Sequence, residues 1–521
     1  MRKRLVFPFA CFLACTALAW AQPGPHPELK KPKLVLAIAI DQFRFDYLNR
    51  WHSLYTGAFA NFYKNAAIFT NAHHEHFPTV TAIGHSTFLS GATPSISGIV
   101  NNSWYDRTTG KTVTSVSDET TQLLGAAGKG SSPHRLLAST IGDELKMAGK
   151  KCKVIGVSIK DRSAILPAGH AADGAYWFDG GTGNFVSSTW YFPELPGWVK
   201  EFNSKRTADQ YLNADWKALD SDTVFKKMPG TADAKFYGGL EAAPFGNDLI
   251  EAFAEQAIAS EQLGTHQDTD VLAVSFSAND YVGHAVGPDD PMVRDISLRT
   301  DKLIEKFLDY VYSKVGKDNV LIVLTADHGV APTPEVNRAR HMPGGRFSES
   351  ELFSTITTVL TAKYGEGKWI VGNAGPVPYF NRDLMKEKNL NEADVQRTAA
   401  DAVRAIPHIF RVFTREQLLT GLMPEDRFSQ RVRNGFYPTR SGDLVVIPEA
   451  YWIFEPRGAS HGTAFNYDTH VPVIFMGPNI VPGRYDGQVA VNDIAPTLAA
   501  ILEIEIPSGA VGRVLSEMFT R

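Results

Sequence analysis

Five short runs of apolar residues most constrain what this chain can fold into. They occupy residues 35–40, 154–158, 271–276, 320–324 and 471–476. Each is too short for a buried helix and rich in Val, Ile and Leu, the pattern of strands covered on both faces. The first runs into Asp41, the second into Lys160 and Arg162, the third into Asp280 and His284, the fourth into Asp327 and His328. The fifth has His461 ahead of it. In an open parallel sheet, ligands bind at the carboxyl ends of the strands. The expected fold is α/β, an open, mostly parallel sheet flanked by helices. Three Asp and three His at such ends suffice for a pair of divalent metals, which points to a metal-dependent hydrolase.

The N-terminus reads as an export leader. Met1-Arg2-Lys3-Arg4 is basic, an apolar stretch follows, and Ala19-Trp20-Ala21 fits a small-x-small cleavage pattern. The apolar stretch falls short of the roughly 20 residues a membrane span needs. A lipoprotein signal at Cys15 has a poor lead-in. The expected division is a leader over 1–21, a Pro/Lys linker over 22–32 and a catalytic domain over 33–521. The destination is the periplasm or the exterior, with no membrane span after cleavage. Of three cysteines only Cys152 survives, so the mature chain has no internal disulfide. A net charge of −4 gives no reason to expect nucleic acid as a partner. Nothing in the sequence specifies an oligomeric state.

Two segments break the alternation of strands and helices. Residues 171–239 are rich in Gly, Trp and Tyr, and read either as a cap over the site or as a surface insertion with its own core. Residues 331–451 are a second insertion, with a helix over 392–405 capped by Asn391. Further helices are expected over 84–89, 137–148, 247–263, 292–315 and 492–502.

Asp280-x-x-x-His284 places two ligands one turn apart on a helix. Asp327-His328-Gly329 places two at a strand end, where glycine lets the backbone turn. Carboxylates with neutral imidazoles suit zinc or a similar divalent ion. His73, His74, His76 and His85 form a second group; its His-His-x-His part could bind metal, but a solvated loop near the active site is the expectation. A nucleophile is expected within residues 77–86, on a helix N-terminus that favours an incoming phosphate. Residue type alone does not choose between Thr79, Thr81 and Ser86. Lys160 and Arg162, alternating on an extended segment, would share a face. Two cations there suit a dianionic, singly esterified phosphate better than a diester. Ser131-Ser132-Pro133-His134-Arg135 loosely fits a sulfatase signature, but lies too far beyond Asp41.

Taken in order, Asp41, Thr81-Ala82-x-Gly84-His85, the segment from Gly98 to Asp106, Ser158 to Arg162, Asp280…His284, Asp327-His328-Gly329 and His461-Gly462 resemble the alkaline phosphatase superfamily. More narrowly, they resemble the exported PafA-type bacterial alkaline phosphatases with a threonine nucleophile. The resemblance implies two zinc ions. One would take Asp280, His284 and His461; the other Asp41, Asp327, His328 and the Thr81 oxygen. It favours Thr81 as nucleophile, because related phosphodiesterases carry Thr-Phe-Pro-Asn-His where this chain has Thr-Ala-Ile-Gly-His. Ile83 departs from the usual proline. Asn102 would contact phosphate beside Lys160 and Arg162. The implied activity is hydrolysis of small-molecule phosphate monoesters through a phosphothreonine. A phosphodiesterase or nucleotide pyrophosphatase of the same superfamily is the alternative.

Overall fold

The computed structural model describes residues 30–519. The expected leader over 1–21 and most of the linker lie outside the described residues. The central sheet has eleven strands. In chain order they are β1 (Leu34–Ile40), β2 (Ala67–Phe69), β3 (Ser117–Leu124), β4 (Lys129–Ser131), β5 (Val154–Ser158), β6 (Gly174–Asp179), β7 (Asn184–Ser188), β8 (Asp270–Phe276), β9 (Val320–Thr325), β10 (Val473–Met476) and β11 (Gly483–Tyr485). Their spatial order is β11-β2-β10-β9-β1-β8-β5-β6-β7-β3-β4.

The five strands β9, β1, β8, β5 and β6 run parallel. Four of these are the apolar runs legible in the sequence, and β1, β5, β8 and β9 are buried at every position. They need cover on both faces, which helices supply. The fifth run forms β10, which pairs antiparallel with β9. β2 and β11 extend the sheet beyond it, and β7, β3 and β4 continue the other flank antiparallel.

The principal helices are α1 (Thr81–Ser90), α2 (Ile141–Met147), α3 (Asp161–Ala168), α4 (Pro244–Ser260), α5 (Ala278–Val286), α6 (Pro291–Val315), α7 (Glu349–Tyr364), α8 (Glu392–Arg404), α9 (Arg427–Gly435) and α10 (Ile494–Leu502). α1 begins three residues before the expected start, which puts Thr81 on its first turn. α2 is shorter than expected because Thr140 and Asp143 form a capping box ahead of Ile141. Asn391 caps α8 through the Asp394 amide, as expected.

The proposed insertion over 171–239 needs its boundary moved. β6 and β7 belong to the central sheet, so the excursion begins after Ser188. Gly174 and the adjacent aromatics disguised β6, whose residues from Gly174 to Phe178 are buried in the sheet. The aromatic residues join the main core of the sheet, packing against α4. Phe185 stacks on Phe253 with ring centroids 3.9 Å apart, and Tyr176 and Trp198 approach the same ring. Residues 331–451 build a second core around α7, α8 and the antiparallel pair Ile409–Thr414 with Leu444–Pro448. α9 then docks on the segment leading to Thr81. Phe77 donates its amide to the Arg431 carbonyl, and Asn434 donates to the Glu75 carbonyl at 2.6 Å.

Candidate functional site

The strand ends bring the expected residues together. Asp41 follows β1, Ser275 is the buried penultimate residue of β8, Asp280 and His284 lie on α5, and Asp327 and His328 follow β9. His461 arrives from the loop ahead of β10. Asp280, His284 and His461 form one set of donors, and Asp41, His85 and Asp327 a second. Within each set the ligand atoms lie within 4.8 Å of one another. His328 joins the second set, with Nε2 3.1 Å from Asp327 Oδ2.

The histidine protons are assigned by their partners. His284 Nδ1 lies 3.0 Å from the Ala459 carbonyl, His461 Nδ1 2.7 Å from the Thr79 carbonyl and His328 Nδ1 2.9 Å from the Gly329 carbonyl. A carbonyl only accepts, so each Nδ1 carries hydrogen, and in the neutral ring each Nε2 keeps a lone pair. The Nε2 atoms of His284 and His461 face each other at 3.1 Å. The His328 and His461 rings stack with centroids 3.5 Å apart. Asp327 Oδ2 is buried and accepts no hydrogen bond. Convergent lone pairs with nothing to receive them are the arrangement a cation requires, and Nδ1-to-carbonyl bonds orient ligating histidines. The donors therefore fit divalent metal, with the mixed Asp and His chemistry that suits zinc.

Opposite charges in the cluster hold one another. Burial alone would raise the Asp41 carboxyl, but the Lys160 ammonium and His85 hold it well below the usual range. Asp280 is likewise held down against its burial by Lys160 and His284. Burial works against a charged His328, yet Asp327 and Asp280 lift it to about 9. These carboxylates generate a negative field of the kind that attracts cations.

Thr81 opens α1, and its Oγ1 is 3.4 Å from His328 Nε2. Thr79 Oγ1 instead donates to the Thr463 carbonyl at 2.8 Å, and Ser86 Oγ to the Ile83 carbonyl. Among the three hydroxyls, Thr81 is thus the one facing a donor set. Gly84 lets α1 approach Asp327: a Cβ there would lie 2.1 Å from the Asp327 carbonyl oxygen. Asn102 accepts from the Ala82 amide at 2.8 Å through Oδ1, which leaves its Nδ2 hydrogens for another partner.

Lys160 and Arg162 do not alternate on one extended segment as expected. Lys160 is extended, but Arg162 lies in the first turn of α3, because the helix starts at Asp161. Lys160 Nζ is 2.6 Å from Asp280 and 3.0 Å from Asp41. Among the described residues Arg162 meets one carboxylate, Asp161 at 3.8 Å, and its buried Nε has no hydrogen-bond partner.

The second histidine group is not a solvated loop. His73, His74, His76 and His85 are all buried. His73 pairs in a short strand with Ala490 and contacts Thr469, while His74 contacts the Ala326 carbonyl at 3.0 Å. His85 is one turn beyond Thr81 and spans from the Thr81 carbonyl to Ser275 Oγ, 3.0 Å each way. Ser275 in turn donates to Asp41 at 2.6 Å. Sequence reasoning missed His85, Ser275 and Gln42 as members of the site. The spacing of His85 from Thr81 would have found the first, had α1 been started correctly.

An α/β sheet with mixed Asp and His donors at its strand ends, beside a helix-borne threonine, defines a metal-binding member of the alkaline phosphatase superfamily. Residues 35–468 match the model of the type I phosphodiesterase / nucleotide pyrophosphatase family, and the chain belongs to that family. It is 36% identical to alkaline phosphatase PafA of Elizabethkingia meningoseptica, covering 94% of this chain and 95% of that protein. It is 35% identical to alkaline phosphatase PhoV of Synechococcus elongatus, covering 96% and 95%. The crystal structure of wild-type PafA superposes with a TM-score of 0.89 over 94% of this chain and all of that one.

Proposed function

We propose that this chain is an exported phosphomonoesterase, an alkaline phosphatase that uses two zinc ions and a phosphothreonine intermediate. The observation that carries the reading is the meeting of two donor sets beside the Thr81 hydroxyl. Asp280, His284 and His461 would hold one ion; Asp41, Asp327, His328 and the Thr81 oxygen the other. Bound there, the pair supplies Lewis acidity toward the nucleophile and the leaving oxygen.

Thr81 Oγ1 attacks phosphorus in line, the phosphorus–oxygen bond to the alcohol breaks, and water later cleaves the phosphothreonine. Thr81 sits at the N-terminus of α1, where the helix dipole favours an anion. Asn102 Nδ2, Lys160 and Arg162 hold the equatorial oxygens, where charge is spread in the transition state. Two cations match a dianion, which favours a monoester. The alternative, a phosphodiesterase or nucleotide pyrophosphatase, is favoured by the family description alone. No helix among the described residues is long and apolar enough to cross a membrane.

The test is the ratio of kcat/KM for p-nitrophenyl phosphate to that for bis-p-nitrophenyl phosphate, on zinc-loaded protein at alkaline pH. A large preference for the monoester is expected. A preference for the diester would transfer the chain to the alternative activity.

A further inference from the structure

Where Lys160 reaches both donor sets with its charged ammonium, Gln42 reaches them with neutral hydrogen-bond donors. Its main-chain amide donates to Asp327 Oδ1 at 2.9 Å, and its side-chain Nε2 donates to Asp280 Oδ1 at 2.7 Å. It does so from an unusual conformation. Gln42 is buried and has φ of 61°, a left-handed backbone that few non-glycine residues adopt. The neighbouring helix makes room for it. Gly283, between Asp280 and His284, leaves space where a Cβ would lie 1.8 Å from Gln42 Oε1.

We propose that Gln42 is a positioning residue that sets both carboxylates for metal and couples the two ions; this rests on the ligand assignment above. By occupying Asp327 Oδ1 it leaves Oδ2 as the oxygen that faces His328. On Asp280 it takes one lone pair of Oδ1, whose remaining one points among the histidines, 3.3 Å from His284 Nε2. A neutral amide does this without adding charge. A lysine at this position would compete with the cation, and a glutamate would repel the carboxylates.

The experiment is an equilibrium zinc titration of the full chain against a competing chelator, with parent, Gln42→Leu, Gly283→Ala, the double variant and His284→Ala. Outer partners of metal ligands typically govern roughly 10- to 100-fold in affinity. Gln42→Leu is expected to weaken one zinc of the two by that factor, with the circular dichroism spectrum unchanged. Gly283→Ala displaces the same amide while improving helix propensity, so it is expected to weaken the same zinc. The double variant should lose no more than Gln42→Leu alone, because both changes act through one hydrogen bond. Parent-like isotherms for both single variants, or losses that multiply in the double variant, overturn the proposal. His284→Ala separates the two readings: if it still binds two zinc ions with parent affinity, the ligand assignment itself is wrong.

Discussion

Nε2 of His284 stands 3.1 Å from Nε2 of His461, and each ring has already committed its Nδ1 hydrogen to a main-chain carbonyl. Two lone pairs at that separation repel unless a cation lies within reach of both. Chelation is therefore expected to abolish turnover reversibly, with zinc restoring it. Zinc at a hundred times its Kd adds about 2.7 kcal/mol of stability per site. Differential scanning calorimetry with and without chelator should show the corresponding drop in Tm.

Thr81→Ala is expected to abolish turnover while zinc remains bound, as measured by metal content after gel filtration. Thr79→Val should cost only about 1 kcal/mol of stability, the usual value of one hydrogen bond, since its hydroxyl serves the Thr463 carbonyl. Full activity in Thr81→Ala would move the nucleophile to another hydroxyl.

Lys160→Ala and Arg162→Ala should each lower kcat/KM for a phosphate monoester by roughly 10- to 100-fold, from about 1.5–3 kcal/mol per hydrogen bond to a charged group. Turnover of a diester should fall much less. Equal losses on both substrates would remove these cations from the discrimination.

The buried histidines predict an acid-sensitive fold. Burial pushes His73 and His74 down from 6.5 to about 3. Between those values the unfolded chain takes up protons that the folded chain refuses. Their contribution is full above about pH 6.5 and is lost as pH falls toward 3, at about 1.4 kcal/mol per pH unit for each fully shifted histidine. Urea unfolding of chelator-treated protein at pH 7, 6 and 5 should show this decline. In His74→Gln the decline should be shallower.

Gly84→Ala should impair the enzyme although alanine favours helices by about 1 kcal/mol. The new methyl would meet the Asp327 backbone, which no rotamer change relieves. An overpacking cost of about 1–3 kcal/mol is expected, with a fall in kcat as α1 is pushed from the ligand. Unchanged kcat and Tm would mean that the two elements can slide apart freely.

Long buried strands were legible because nearly every position is apolar, as in β1, β8 and β9. β6 was not, because Gly174 and its aromatic neighbours imitate a loop-rich insertion. β3 was missed because it lies toward an edge and carries Asp118, Glu119 and Thr120, a composition that no burial pattern betrays. The metal-type donors were legible wherever Asp or His directly followed a run. His85 was hidden by a misplaced helix start. Gln42 was hidden because its role depends on a left-handed turn and on space left by Gly283, neither of which a linear pattern encodes. Lys160 and Arg162 were recognised as a pair, but their geometry comes from the start of α3.

The donors are drawn from distant parts of the chain, with Asp41 just after β1 and His461 beyond the second insertion. On the proposed assignment, a nascent chain halted before residue 461 carries the nucleophile and six of its metal ligands, Thr81 among them, yet cannot complete one of the two ions' coordination. β10, which flanks β9, is also still missing. Completing both proposed coordination spheres therefore requires the sheet to have assembled from β1 through β10, so metal occupancy reports on the folding of almost the whole chain.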